Sequence, residues 1–137
     1  MRKTSLDTPK RAAEQHEQLK QTIIKALEDL KALDIKVLDV AEFTNVTDVI
    51  IIASGTSTRH VKSLASNVGV EVKKIDVQPL GTEGDDAGDW VLVDCADIIV
   101  HVMLPEVRAL YDLEGLWSAS GAATRHIDGL MPTREPR

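Results

Sequence analysis

A chain of 137 residues, 43% hydrophobic and 28% charged, has the size and composition of one globular domain. No apolar run approaches the roughly 20 residues of a membrane-spanning helix, and Met1–Gln15 is polar with no apolar signal segment, so a cytoplasmic protein with no membrane partner is expected. The net charge is −6, yet between Asp34 and Trp117 six Lys/Arg stand against fifteen Asp/Glu; a core of net −9 repels phosphate backbones, so no direct nucleic-acid binding by the core is expected, and a basic protein is the fitting partner.

Residues 1–13 lack periodicity and read as a flexible arm. From Glu14 to Leu33, apolar residues recur at Leu19, Ile23, Ala26, Leu27, Leu30 and Leu33, which predicts an amphipathic helix. Ile35–Val40 and Asp48–Ala53 are β-branched runs that predict two strands, the second apolar enough to be covered on both faces. Ser54–Thr58 supplies a turn with hydroxyl caps, after which Val61, Leu64, Ala65, Val68 and Val72 follow at helical spacing, with Gly69 weakening the last turns. Pro79 to Asp89 is polar and glycine-rich, a surface loop. Trp90–Asp94 and Ile98–Met103 flank Cys95-Ala96-Asp97 as a β-hairpin, and Pro105 opens a last helix through Trp117. A single domain is thus expected over residues 14–117, and the small, polar residues 118–137 read as a disordered tail. The order is α-β-β-α-β-β-α. A helix between the second and third strands implies a parallel crossover, and the two short connections imply antiparallel neighbours: an α/β fold, a mixed sheet with packed helices.

Catalytic patterns are thin. Gly55-Thr56-Ser57 before a helix could hold an anion, but it lacks the phosphate-loop lysine and the dinucleotide glycine fingerprint, and a capping turn explains it. His16, His60, His101 and His126 fall on four different elements without ligand-spaced partners, so no metal or cofactor is expected. Cys95, the only cysteine, excludes an internal disulfide and reads as a small structural residue. Asp94 and Asp97 bracket a turn, where aspartate commonly satisfies backbone donors.

The strongest pattern is Gly88-Asp89-Trp90-Val91-Leu92-Val93-Asp94, then Asp97-Ile98-Ile99-Val100-His101-Val102-Met103, then Pro105 through Trp117. With Leu38-Asp39-Val40, Thr47-Asp48 and Gly55–Val61 upstream in the same order, it resembles the Iojap/RsfS family of ribosomal silencing factors over about Leu19 to Trp117. Leu104 and Gly115 stand at positions expected to vary, and the chain beyond Ser118 is longer than the motif. The resemblance implies a nucleotidyltransferase-like core, a homodimer, and a non-enzymatic role. A protein of this kind binds the large ribosomal subunit through its ribosomal protein fourteen and sterically keeps the small subunit away, repressing translation when nutrients are scarce. A transferase would need paired carboxylates after the Gly-Ser turn. Ile75-Asp76-Val77-Gln78 offers one acid and a glutamine instead. An adaptor for a non-ribosomal protein is the other alternative.

Aromatic residues are scarce: Phe43, Trp90, Tyr111 and Trp117. Interface energy concentrates in such anchors, so a binding surface centred on Trp90 is expected, with a core tryptophan as the less favoured alternative. By strand alternation Trp90 shares a side with Leu92 and Asp94, and Met103 with Ile99 and His101. If the hairpin brings these sets together, Trp90, His101 and Met103 form an apolar patch with Asp89 and Asp97 as an acidic rim, extended by Pro105, Tyr111 and Leu116.

Overall fold

Leu19, Ile23, Ile24, Ala26 and Leu27 line the buried side of α1 (Asp7–Asp29), the first element of a computed structural model that describes residues 7–119 and 123–126. There follow β1 (Leu33–Asp39), β2 (Val49–Ser54), α2 (Thr58–Lys74), β3 (Gly81–Glu83), β4 (Trp90–Asp94), β5 (Ile98–Met103), α3 (Pro105–Tyr111), α4 (Leu113–Ala119) and β6 (Ala123–His126). The strands form one mixed sheet in the order β3-β4-β5-β2-β1-β6. Among the described residues no helix is long and apolar enough to cross a membrane.

Strand alternation divides the core in two. Val37, Val49, Ile51, Ala53, Val91, Val93, Ile98, Val100 and Val102 meet α1 and α2 on one face of the sheet. Leu38, Val40, Ile50, Ile52 and Met103 form a smaller cluster on the other, where Val107 of α3 and Leu113 and Trp117 of α4 pack. β2 is buried along its whole length, as its uniform apolar run predicts. α2 is capped by Ser57, whose Oγ accepts the His60 N–H at 3.1 Å.

Five expectations need correction. Residues 7–13 belong to α1 rather than to a free arm; Lys10, Arg11, Ala12, Ala13 and Glu14 are good helix formers, so propensity extends the helix where periodicity is silent. The supposed tail contains β6, antiparallel to β1 with Lys36 opposite His126 and Asp39 opposite Ala123; the outer edge of β1 offers free backbone groups that a strand of any composition can pair. Ser118 and Ala119 close α4, and residues 120–122, 127–137 and 1–6 lie outside the described residues. The glycine-rich loop contains β3, whose Gly81, Thr82 and Glu83 are all exposed, so only backbone pairing with β4 betrays it. The parallel neighbour of β2 is the fourth expected strand, β5, not the third; β5 is buried at five of its six positions and takes the interior place, while the half-exposed alternation of β4 suits a place further out. Last, the C-terminal helix breaks in two at Asp112, whose backbone is left-handed (φ 49°, ψ 55°).

Candidate functional site

Pairing of β4 with β5 sets Trp90 opposite Met103, Leu92 opposite His101 and Asp94 opposite Ile99, so the two expected side-chain sets do meet on one face. The Trp90 indole N–H donates to His101 Nδ1 at 2.9 Å, with ring centroids 5.9 Å apart. The Tyr111 ring of α3 also tilts against the indole, at 4.9 Å and 47°. Depth sorts this group. Met103 is fully buried and His101 nearly so, forming a floor; Trp90 is half-buried, and Tyr111 is 57% exposed. Burial pushes the His101 imidazole down to about 4. The indole donor agrees with this, because Nδ1 must keep its lone pair and the neutral ring then carries its proton on Nε2.

The chain turns from β5 into α3 through Leu104, whose N–H donates to the Asp89 carbonyl at 3.0 Å. Pro105 occupies the first turn of α3, where its missing N–H is harmless. Gly84 has φ +88°, and a Cβ there would run into the Trp90 carbonyl oxygen, so only glycine lets loop 84–88 close onto β4. That loop carries the exposed Asp85 and Asp86, of which Asp85 lines a cleft with Lys62 and Lys73 of α2, and the exposed Asp89 leads from it into β4. On α3, Leu110 is 75% exposed, and on α4 Leu116 is 61% exposed. Together with Glu106 and Asp112, both exposed, they give an apolar surface set among carboxylates.

Under α3 lies a polar network. Arg108, buried although charged, donates from Nε to Glu114 Oε2 at 2.6 Å and from Nη1 to Ser54 Oγ at 2.9 Å. Its Nη2 stands 3.7 Å from Asp34 Oδ2, and Lys36 Nζ stands 3.8 Å from Glu114 Oε2. A cavity of about 330 Å³ adjoins these groups, lined also by Leu33, Pro105, Ala109 and Asp112.

Of the expected site residues, Asp89, Trp90, His101, Met103, Pro105 and Tyr111 gather at one end of the hairpin, with Leu116 on the adjoining α4. Asp97 does not. It sits in the turn at the far end of the β4–β5 ladder, about 20 Å away at 3.3 Å per residue, and its carbonyl accepts from Asp48 N–H at 2.9 Å and Thr47 Oγ at 2.7 Å. Its work is to tie the hairpin turn to the β1–β2 connection. Sequence reasoning missed Leu110, whose exposure beside Tyr111 no helical periodicity reveals, and Arg108. The single acid of the Asp76-Val77-Gln78 stretch lies in a turn after α2 (φ 66°), not on a strand.

Residues 13–137 match the family model described as RsfS, ribosomal silencing factor during starvation. The ribosomal silencing factor RsfS of Chromobacterium violaceum is 46% identical over 101 residues, 74% of this chain and 83% of that protein. That of Haemophilus influenzae is 39% identical over 100 residues, covering 73% and 98%. Among solved structures, a Chromobacterium violaceum protein superposes with a TM-score of 0.73 at 46% identity, covering 74% of this chain and 85% of that one. A Bacillus halodurans protein gives 0.70 at 28% identity, covering 81% and 99%. The order of motifs, the mixed sheet with its two-sided helical cover and these matches agree: the chain belongs to the RsfS family of ribosomal silencing factors.

Proposed function

We propose that this protein binds the large ribosomal subunit through ribosomal protein fourteen, by the surface of Trp90, Leu110, Tyr111 and Leu116, and blocks joining of the small subunit by occupying its place. It represses translation under nutrient limitation as a cytoplasmic, non-enzymatic factor, homodimeric in solution, with its functional unit in one domain. The observation that carries this is the half-buried Trp90, held by His101 and tilted against an exposed Tyr111, with the exposed Asp89 preceding it in the chain. A rigid aromatic anchor with an acidic surround is the complement of a basic ribosomal protein. The relatives' names speak of ribosomal silencing, and that of a mouse relative, 36% identical, of assembly of the mitochondrial ribosomal large subunit.

Sedimentation through sucrose gradients tests the reading. Without added nucleotide, the protein should travel with free large subunits, be absent from joined ribosomes, and reduce joining in proportion to occupancy. Tyr111→Ala removes a mostly exposed ring, so it should melt close to the wild type yet bind about thirtyfold more weakly, roughly 2 kcal/mol. Lack of any association with the large subunit refutes the function. Undiminished binding by folded Tyr111→Ala and Trp90→Ala variants refutes the location of the surface.

A further inference from the structure

α3 and α4 are seven residues each, about half of what an isolated helix needs to persist in water. Their apolar hold on the sheet is slight: Val107, Leu113 and Trp117, all only partly buried, rest on the smaller core cluster. Yet these two helices carry the exposed Leu110, Tyr111 and Leu116. Beyond the turn at Asp112, what ties them to the sheet is the Arg108 guanidinium, which hydrogen-bonds Glu114 on α4 and Ser54 on β2 and stands 3.7 Å from Asp34 on β1. Stability does not call for ions there, since apolar side chains of similar volume serve a buried position as well or better. A forked guanidinium differs in demanding particular directions from its partners, and so admits one arrangement of the elements it joins.

We infer that Arg108 is a positioning residue for the docking surface: by hydrogen-bonding Glu114 and Ser54 at once, with Asp34 close by, it helps set the angle between α3 and α4 and the place of Tyr111 against Trp90. Leu110 and Tyr111 lie two and three residues beyond Arg108, and Leu116 two beyond Glu114, so a small rotation of either helix displaces the anchors directly. Lys36, 3.8 Å from Glu114, adds a second hold from β1. The inference rests on the function proposed above, but the placement of Tyr111 can be read without a ribosome.

Tyr111 is the only tyrosine, so tyrosine-selective isotope labelling gives one ring signal, displaced by the Trp90 ring current at 4.9 Å. Arg108→Lys keeps the charge and loses the fork. A Lys36→Met, Arg108→Met, Glu114→Leu variant replaces the ions by apolar side chains of similar length. Both should melt cooperatively, the apolar one within a few degrees of the wild type, while the Tyr111 signal moves toward that of a free tyrosine. Affinity for purified large subunits should fall about tenfold, and Tyr111→Ala added to Arg108→Lys should cost less than the two changes apart, as coupled positions do. An undisplaced Tyr111 signal in either folded variant overturns the inference. Failure of both variants to fold also overturns it, because the network would then be a stability element. If wild-type protein does not bind large subunits, the functional reading falls, and the Tyr111 signal still decides the role of Arg108.

Discussion

His101 shows how one residue's surroundings make a pH-dependent property. Its imidazole is buried beneath Trp90 and accepts the indole N–H, and its pKa falls from 6.5 to about 4. In the unfolded chain the same group protonates near 6.5, so above that pH its contribution to stability is fully present. As pH falls from 6.5 toward 4 the unfolded state binds the proton first, and stability declines by up to about 3 kcal/mol, levelling off below 4. Thermal melts of wild type and His101→Gln across pH 7 to 4 should diverge in this sense: the glutamine variant loses that slope and keeps only the part due to carboxylates. Parallel curves would mean that His101 titrates normally in the folded protein. That Trp90 shares a side with Leu92, and His101 with Met103, was legible from strand alternation; that the two sets meet was decided by the hairpin register. That Met103 lies wholly under the surface was not legible, because alternation gives the face of a side chain but not what covers that face.

At the scale of elements, Asp112 performs two tasks between α3 and α4. Its left-handed backbone ends α3, with its N–H donating to the Arg108 carbonyl, while its Oδ1 accepts the Gly115 N–H at 3.1 Å and caps α4. Gly115, expected to vary, has a specific use: a Cβ there would press on the Asp112 carboxylate and displace the cap. Substitutions at Asp112 should therefore rank. Asn keeps both the left-handed tolerance and the acceptor and should be nearly neutral; Gly keeps only the first and costs a few tenths of a kcal/mol; Ala loses both and costs about 1–2 kcal/mol. Thermal melting gives the order, and hydrogen exchange should show the loss concentrated in α4. An alanine variant as stable as the asparagine one would remove the capping role. A run of amphipathic spacing from Pro105 to Trp117 concealed this break, because the apolar stripe continues on both sides of it.

For the whole molecule, the uneven charge makes a prediction about rates. The net charge is −6, and Asp89 before β4, Glu106 on α3 and Asp112 at its end are exposed beside the aromatic surface. Association with a basic partner should slow by about tenfold between low and high salt, with a much smaller change in dissociation. Stopped-flow mixing with large subunits measures both, and Asp89→Asn with Glu106→Gln should flatten the salt dependence; a salt-independent association rate would exclude steering by these carboxylates. What the sequence alone determined is what local chemistry encodes: the helical periods from Leu19 and Val61, the alternation of the hairpin, the capped turn after β2, and motifs specific enough to indicate the family. Those features depend on residues a few positions apart. Tertiary structure decided the rest. β3 and β6 exist only because neighbouring strands offer them backbone partners, and β5 rather than β4 lies beside β2 because the more apolar strand wins the interior. Asp97 lies at the far end of the hairpin from Trp90, and Arg108 meets Ser54 across 54 positions of chain, because folding brings residues together by burial and strand pairing rather than by nearness in sequence.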